Sequence, residues 1–197
     1  MSRYKFSRQL SSWLRSKERK TLGHLQIKFG SKGFAVAFLL LMSLAALPLP
    51  TGGITHVLEV ITMLLALELI VGLHAIWLPD WAQKRTIGEI LTKKALPKLM
   101  HVIERLERMS RHRLSVLFMQ PWFLRITGLF VFVFAMAALL APPFSGLDTL
   151  PGLGVVFIAL GWLFEDSAIY GAGVLFGSIG VTINLTIGDA IFHFIFK

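Results

Sequence analysis

His56 and Glu59 stand three residues apart inside a long apolar run, so they share a face of any helix that holds them. An imidazole beside a carboxylate can exchange a proton with it, or hold a cation with it. Glu68, Asp148, Glu165, Asp166 and Asp189 stand in similarly apolar surroundings, with no Lys or Arg in those stretches to pair with them. An ionised Asp at bilayer depth costs about 2.5–3.5 kcal/mol on insertion scales, so such a group faces a wet cavity, carries a proton or serves a function. Glu59 and Glu68 are nine positions apart, which puts them on opposite faces of one helix. A regular helix therefore cannot aim both into one narrow passage. Glu68 also has a structural explanation, as a carboxylate near a helix end that snorkels to water or pairs with a basic loop residue. Glu165-Asp166 either caps the helix that follows, where negative charge is favoured, or forms a buried acidic site on an ion or proton path. Asp148 is expected to be an N-cap. Asp189 and His193, one turn apart, are expected at the outer interface.

Backbone breaks are the second source of chemistry. Pro48-Leu49-Pro50-Thr51-Gly52-Gly53 and Pro142-Pro143-Phe144-Ser145-Gly146 interrupt apolar runs, and Pro151 to Gly154 opens a further one. Unwound backbone inside protein offers carbonyls to cations and helix N-termini to anions. The alternative for each break is a tight external turn. The transport-pathway candidates are thus Pro50, Gly52, Gly53, His56, Glu59, Glu68, Pro151, Gly154, Glu165 and Asp166. Enzyme signatures are missing: there is no P-loop, no HExxH, no Gly-x-Ser-x-Gly and no cysteine. His24, His74 and His101 have no metal-ligand spacing with one another. No catalytic residue, metal or cofactor is expected.

The elements that must position these groups are set by charge. Of 20 Lys and Arg residues, nine lie between Arg3 and Lys32 and ten between Lys84 and Arg125; only Lys197 lies elsewhere. Residues 33–83 and 126–196 contain none, whereas a soluble helix needs a charged face. With 55% hydrophobic residues, the chain reads as an all-α membrane protein. The net charge of +9 flanks apolar segments, which fits the positive-inside pattern and anionic headgroups rather than nucleic acid. About thirty polar and amphipathic residues precede the first apolar run, too many for a signal-peptide n-region, so the N-terminus is expected to be retained.

Four segments follow. Residues 1–32 form a basic amphipathic N-terminal segment, with Phe6, Leu10, Trp13 and Leu14 at helical spacing. Residues 33–81 form a first membrane hairpin: a short helix over 33–47, the break, then a helix over 54–76 that exits at Trp77, Pro79 and Trp81. Residues 82–122 are a basic cytoplasmic linker with an amphipathic helix from Pro97. Residues 123–197 form a second hairpin, with helices over 124–141 and 151–164, and a final transmembrane helix over 167–196 rich in small residues. The halves align at an offset of 93, with Ala45 on Ala138, Leu47 on Leu140, Pro50 on Pro143, Gly53 on Gly146, Ala66 on Ala159 and Leu67 on Leu160. The fold class is two repeated helical hairpins with Pro/Gly breaks, flanked by amphipathic interfacial helices. The first arms are short for the roughly 20 residues of a full span, which favours re-entrant or tilted arms buried within protein over full crossings.

Certain residues resemble a known family. Pro48-Leu49-Pro50-Thr51-Gly52-Gly53-Ile54, then Leu64 to Gly72 and Trp77-Leu78-Pro79, look like the ExoD family. Leu150 to Val156, Ala159-Leu160-Gly161 and Glu165-Asp166 do so too. Arg111-His112-Arg113-Leu114 resembles its basic linking element, with His112 in place of a Pro. The resemblance runs from about Thr21 to Gly180. It implies a bacterial inner-membrane protein linked to exopolysaccharide production, and it supplies no catalytic motif. With the residues above, it leads to a multi-pass protein with a cytoplasmic N-terminus, acting as a small transporter or an ion or proton pathway. Its partners would be anionic lipid, an ion or small solute, and a second copy, because so small a chain needs a homodimer to enclose a path. The Gly171–Gly180 face is one candidate contact for that copy. The alternative is a non-transporting scaffold that organises polysaccharide or lipid machinery through its basic face.

Overall fold

The structure is a computed structural model. It describes residues 11–12, 32–47, 54–73, 76–77, 103–105, 120–142 and 145–195, with side chains of the last helix to residue 187. The described residues hold five helices and no strand: α1 (Gly33–Met42), α2 (Ile54–Val71), α3 (Pro121–Leu140), α4 (Thr149–Phe164) and α5 (Ser167–Ile195). Two of them are long and apolar enough to cross a membrane, Pro121–Leu140 and Ser167–Ile187.

α1 has no polar face, and a helix that is apolar all round belongs inside. Every residue from Gly33 to Ala46 is buried. α1 packs against α2 and α4. Its regular helix is shorter than the fifteen residues its sequence suggests: past Met42 the chain continues as turns over 43–46, with Ser43 still in right-handed helical geometry and its Oγ donating to the Leu40 carbonyl at 2.8 Å. α2 stops at Val71 rather than at Ile76. Gly72 adopts φ +97°, a left-handed conformation that glycine enters without steric cost, and Leu73 N–H donates back to the Glu68 carbonyl. α3 starts three residues earlier than the apolar pattern indicates, since Pro121 fits the first helical position, where its missing N–H has no partner to lose. It buries Phe123, Thr127, Val131, Phe134 and Ala138 while Trp122, Ile126 and Leu129 face outward.

α4 and α5 form a tight antiparallel hairpin. A Cβ on Gly154 would lie 2.5 Å from Gly177 Cα, one on Gly161 2.5 Å from Tyr170 N, and one on Gly180 2.5 Å from Pro151 Cδ. Backbones this close interlock by dispersion contacts, which drive helix association where lipid supplies no hydrophobic force. Gly173, Gly177 and Gly180 are thereby used within the chain, leaving Gly171 as the glycine of that stretch with open space beside it. Within the amphipathic helices expected from the sequence, Ser11–Ser12 and Ile103–Arg105 are described; both are helical, with Ile103 buried and Glu104 and Arg105 exposed.

The helices alternate in direction. One end of the molecule carries Lys32, Trp77, Arg125 and the α4–α5 turn, and the other carries the starts of α2 and α4.

Candidate functional site

α2 carries the acid that is hardest to explain structurally. Glu59 is wholly buried. His56 Nδ1 lies 2.9 Å from Glu59 Oε2, the contact that a three-residue helical spacing predicts. Glu59 Oε1 is also buried and has no hydrogen-bond partner among the described residues. The His56 ring is about a third exposed, at 32%. One member of the pair thus meets the surroundings while the other is sealed.

Asp148 stands at the same end, in the connection between α3 and α4. It occupies the N-cap position expected of it, yet no capping hydrogen bond joins its side chain to the helix. Burial holds its carboxyl above the usual carboxylate range, opposed by nearby backbone N–H groups and by His56. Its charge acts on both Glu59 and His56. No group of three or more metal-ligating side chains occurs among the described residues.

Glu68, Glu165 and Asp166 are at the opposite end and are engaged structurally. Glu68 Oε2 accepts the Trp77 N–H at 2.9 Å and so fastens the chain leaving α2. Asp166 caps α5, accepting the Ala168 N–H at 2.9 Å. Glu165 takes a left-handed φ of 56° at the end of α4, and its Oε1 lies 2.8 Å from Lys32 Nζ. Lys32 also donates to the Leu163 carbonyl at 3.1 Å, covering an unpaired group at the α4 terminus.

Pro151 and Gly154 are not unwound backbone. Both lie in the first turns of α4, where a proline costs no helical hydrogen bond, and both serve packing against α5. The second break lies earlier, over residues 141–148. Pro50, Gly52 and Gly53 fall outside the described residues, as do Pro48, Leu49 and Thr51; nothing is described of the side chains of Asp189 and His193.

Three polar features have no counterpart in the sequence expectations. Lys32 reaches Glu165 across 133 positions. Thr127 and Tyr170 share a buried hydroxyl contact of 3.0 Å between α3 and α5. Asn184 donates to the Ala137 carbonyl at 2.9 Å and leaves its own buried Oδ1 without a partner among the described residues. An asparagine inside an apolar run was the available signal for this last one, since intramembrane polar groups are costly.

The family described as "Exopolysaccharide synthesis, ExoD" matches residues 6–186. "Uncharacterized protein slr1875" of Synechocystis sp. is 29% identical over 149 residues, covering 74% of this chain and 68% of that protein. "Protein ExoD" of Rhizobium meliloti is 29% identical over 162 residues, covering 79% of this chain and 65% of that protein. The chain therefore spans about two thirds of the length of these relatives. No solved structure matches.

Proposed function

The chain belongs to the ExoD family of exopolysaccharide synthesis, and on that premise we propose that it is an inner-membrane ion- or proton-pathway protein serving exopolysaccharide production. The family and the two long apolar helices point to a membrane protein. The observation that carries the pathway is Glu59: a carboxyl with no exposure, one histidine contact and one bare oxygen. A buried acid left half-satisfied is costly, and in a bilayer such a group marks an ion or proton route. By the positive-inside rule, Lys32 and Arg125 face the cytoplasm with the N-terminus, and His56, Glu59 and Asp148 face outward.

Two features support the repeat and the re-entrant arms. At the offset of 93, Gly72 falls on Glu165, and these two residues end α2 and α4 in left-handed conformations. α1, with ten residues, is about 15 Å long, half of a hydrocarbon core of about 30 Å. A second copy would contact the outward face of α5, which carries Gly171, Leu175, Ser178 and Thr182.

The test is purified protein in liposomes under an imposed pH gradient, with internal pH and cation concentration followed by dyes. Wild type should dissipate the gradient at least tenfold faster than Glu59→Gln. Wild-type traces equal to those of protein-free vesicles would sink the pathway and leave a non-transporting scaffold.

A further inference from the structure

We infer that the species taken up at this site is the proton, and that His56 carries it from water at the outer mouth to the sealed carboxyl of Glu59. This deepens the pathway proposed above and rests on it.

The geometry suits a proton better than a metal cation. A bare cation must recover its lost hydration from several ligands, four for zinc and six or more for magnesium or calcium. Glu59 offers one bare oxygen, its other oxygen being held by His56. No cluster of three such ligands occurs among the described residues. A proton needs a single lone pair, and it neutralises the group that burial penalises.

The two partners differ in access. His56 is 32% exposed and Glu59 is at zero, so a proton reaches the acid through the imidazole. Neutral His56 donates its Nδ1–H to ionised Glu59 Oε2 across 2.9 Å. Uptake of a proton on Nε2 gives the imidazolium. The Nδ1 proton then passes to Oε2, leaving a neutral acid and a neutral ring protonated on Nε2. The first tautomer returns when the ring swings Nδ1 to water, takes a proton there and gives up its Nε2 proton. Among the described residues, Asp148 is the other acid at this end of the bundle, at the start of α4.

Among the described residues on the same face of α2, none offers a proton acceptor beyond Glu59. The Thr62 hydroxyl is committed to the Leu58 carbonyl at 2.8 Å, and Leu65, Ala66 and Leu69 are buried apolar residues. A proton that reaches Glu59 in this conformation is therefore held there, open to the outer side alone.

The experiment compares wild type, Glu59→Gln, His56→Ala and His56→Gln in liposomes, with sodium and potassium exchanged for an impermeant cation in parallel. Internal acidification in wild type should not depend on the metal cation. Both His56 variants should lose at least tenfold in proton flux, glutamine included, because it keeps a hydrogen bond and cannot relay. External imidazole should restore part of the flux in His56→Ala. Full flux in both His56 variants with Glu59→Gln inactive would overturn the relay and leave the pathway standing, as would wild-type flux that follows sodium or potassium. Absence of flux in wild type would sink the pathway itself, and the relay with it. Should both His56 variants fail to fold, the infrared carboxyl band missing in Glu59→Gln decides in the wild-type protein. It must titrate together with the histidine ring modes, and independent titration would overturn the relay.

Discussion

The two ends of the helix bundle treat their acids differently. At the Lys32 end, Glu68 holds the Trp77 N–H, Asp166 holds the Ala168 N–H and Glu165 holds Lys32. Each of these acids completes a helix terminus that would otherwise leave a donor, an acceptor or a charge unsatisfied. At the His56 end, Glu59 is sealed with one bare oxygen, Asp148 sits at an N-cap without capping, and Asn184 has a buried oxygen without a described partner. Similar residue types in similar apolar surroundings thus do two jobs. Satisfied acids stabilise the fold, and unsatisfied ones reduce stability and persist for another reason.

Four substitutions at three positions sharpen or break that contrast. The largest stability effect belongs to Asp166→Ala, which strips the α5 cap and should cost about 1 kcal/mol. Thermal unfolding in detergent reads it, and an unchanged midpoint would remove Asp166 from the structural class. Next is the pair of replacements at Glu165. Alanine keeps the left-handed strain and loses the Lys32 contact, whereas glycine relieves the strain. Glycine should exceed alanine in stability by about 1 kcal/mol. Because Lys32 and Glu165 side chains are 39% and 27% exposed, the ion pair itself contributes only a few tenths of a kcal/mol. Neither change should alter proton flux.

Smallest, and opposite in sign, is Asp148→Asn. Burial raises the Asp148 pKa in the folded state, so ionisation opposes folding. The penalty is absent below the unfolded-state pKa of about 4 and develops as pH rises through the folded value. Asn should therefore stabilise the protein at pH 7, within about 0.5 kcal/mol, and lose the advantage as pH falls to about 4. Unfolding midpoints at several pH values check this. A loss of stability at pH 7 would place Asp148 with the structural acids.

Much of this was legible in the sequence where the information is local. The His56–Glu59 contact follows from helical spacing, the capping role of Asp166 from its place before a helix, and the helix positions from apolar runs bounded by Pro and Gly. Periodicity put Glu59 and Glu68 on opposite faces, but which face turns inward depends on what packs there. Lys32–Glu165 and Thr127–Tyr170 join residues 133 and 43 positions apart, and no local pattern encodes such pairs. Pro151 stands in the first turn of α4, as its place at the start of an apolar run indicates, whereas the close approach of Gly154 to Gly177 joins two helices that no local pattern pairs.

The complete enclosure of α1 has a consequence for biogenesis. A nascent apolar segment leaves the translocation machinery when lipid suits it better, yet α1 ends with no side chain touching lipid. Its packing partner α4 begins at Thr149, more than a hundred residues downstream. This apolar segment thus settles only when residues 149–164 have also been made, and a chain truncated before Thr149 strands it.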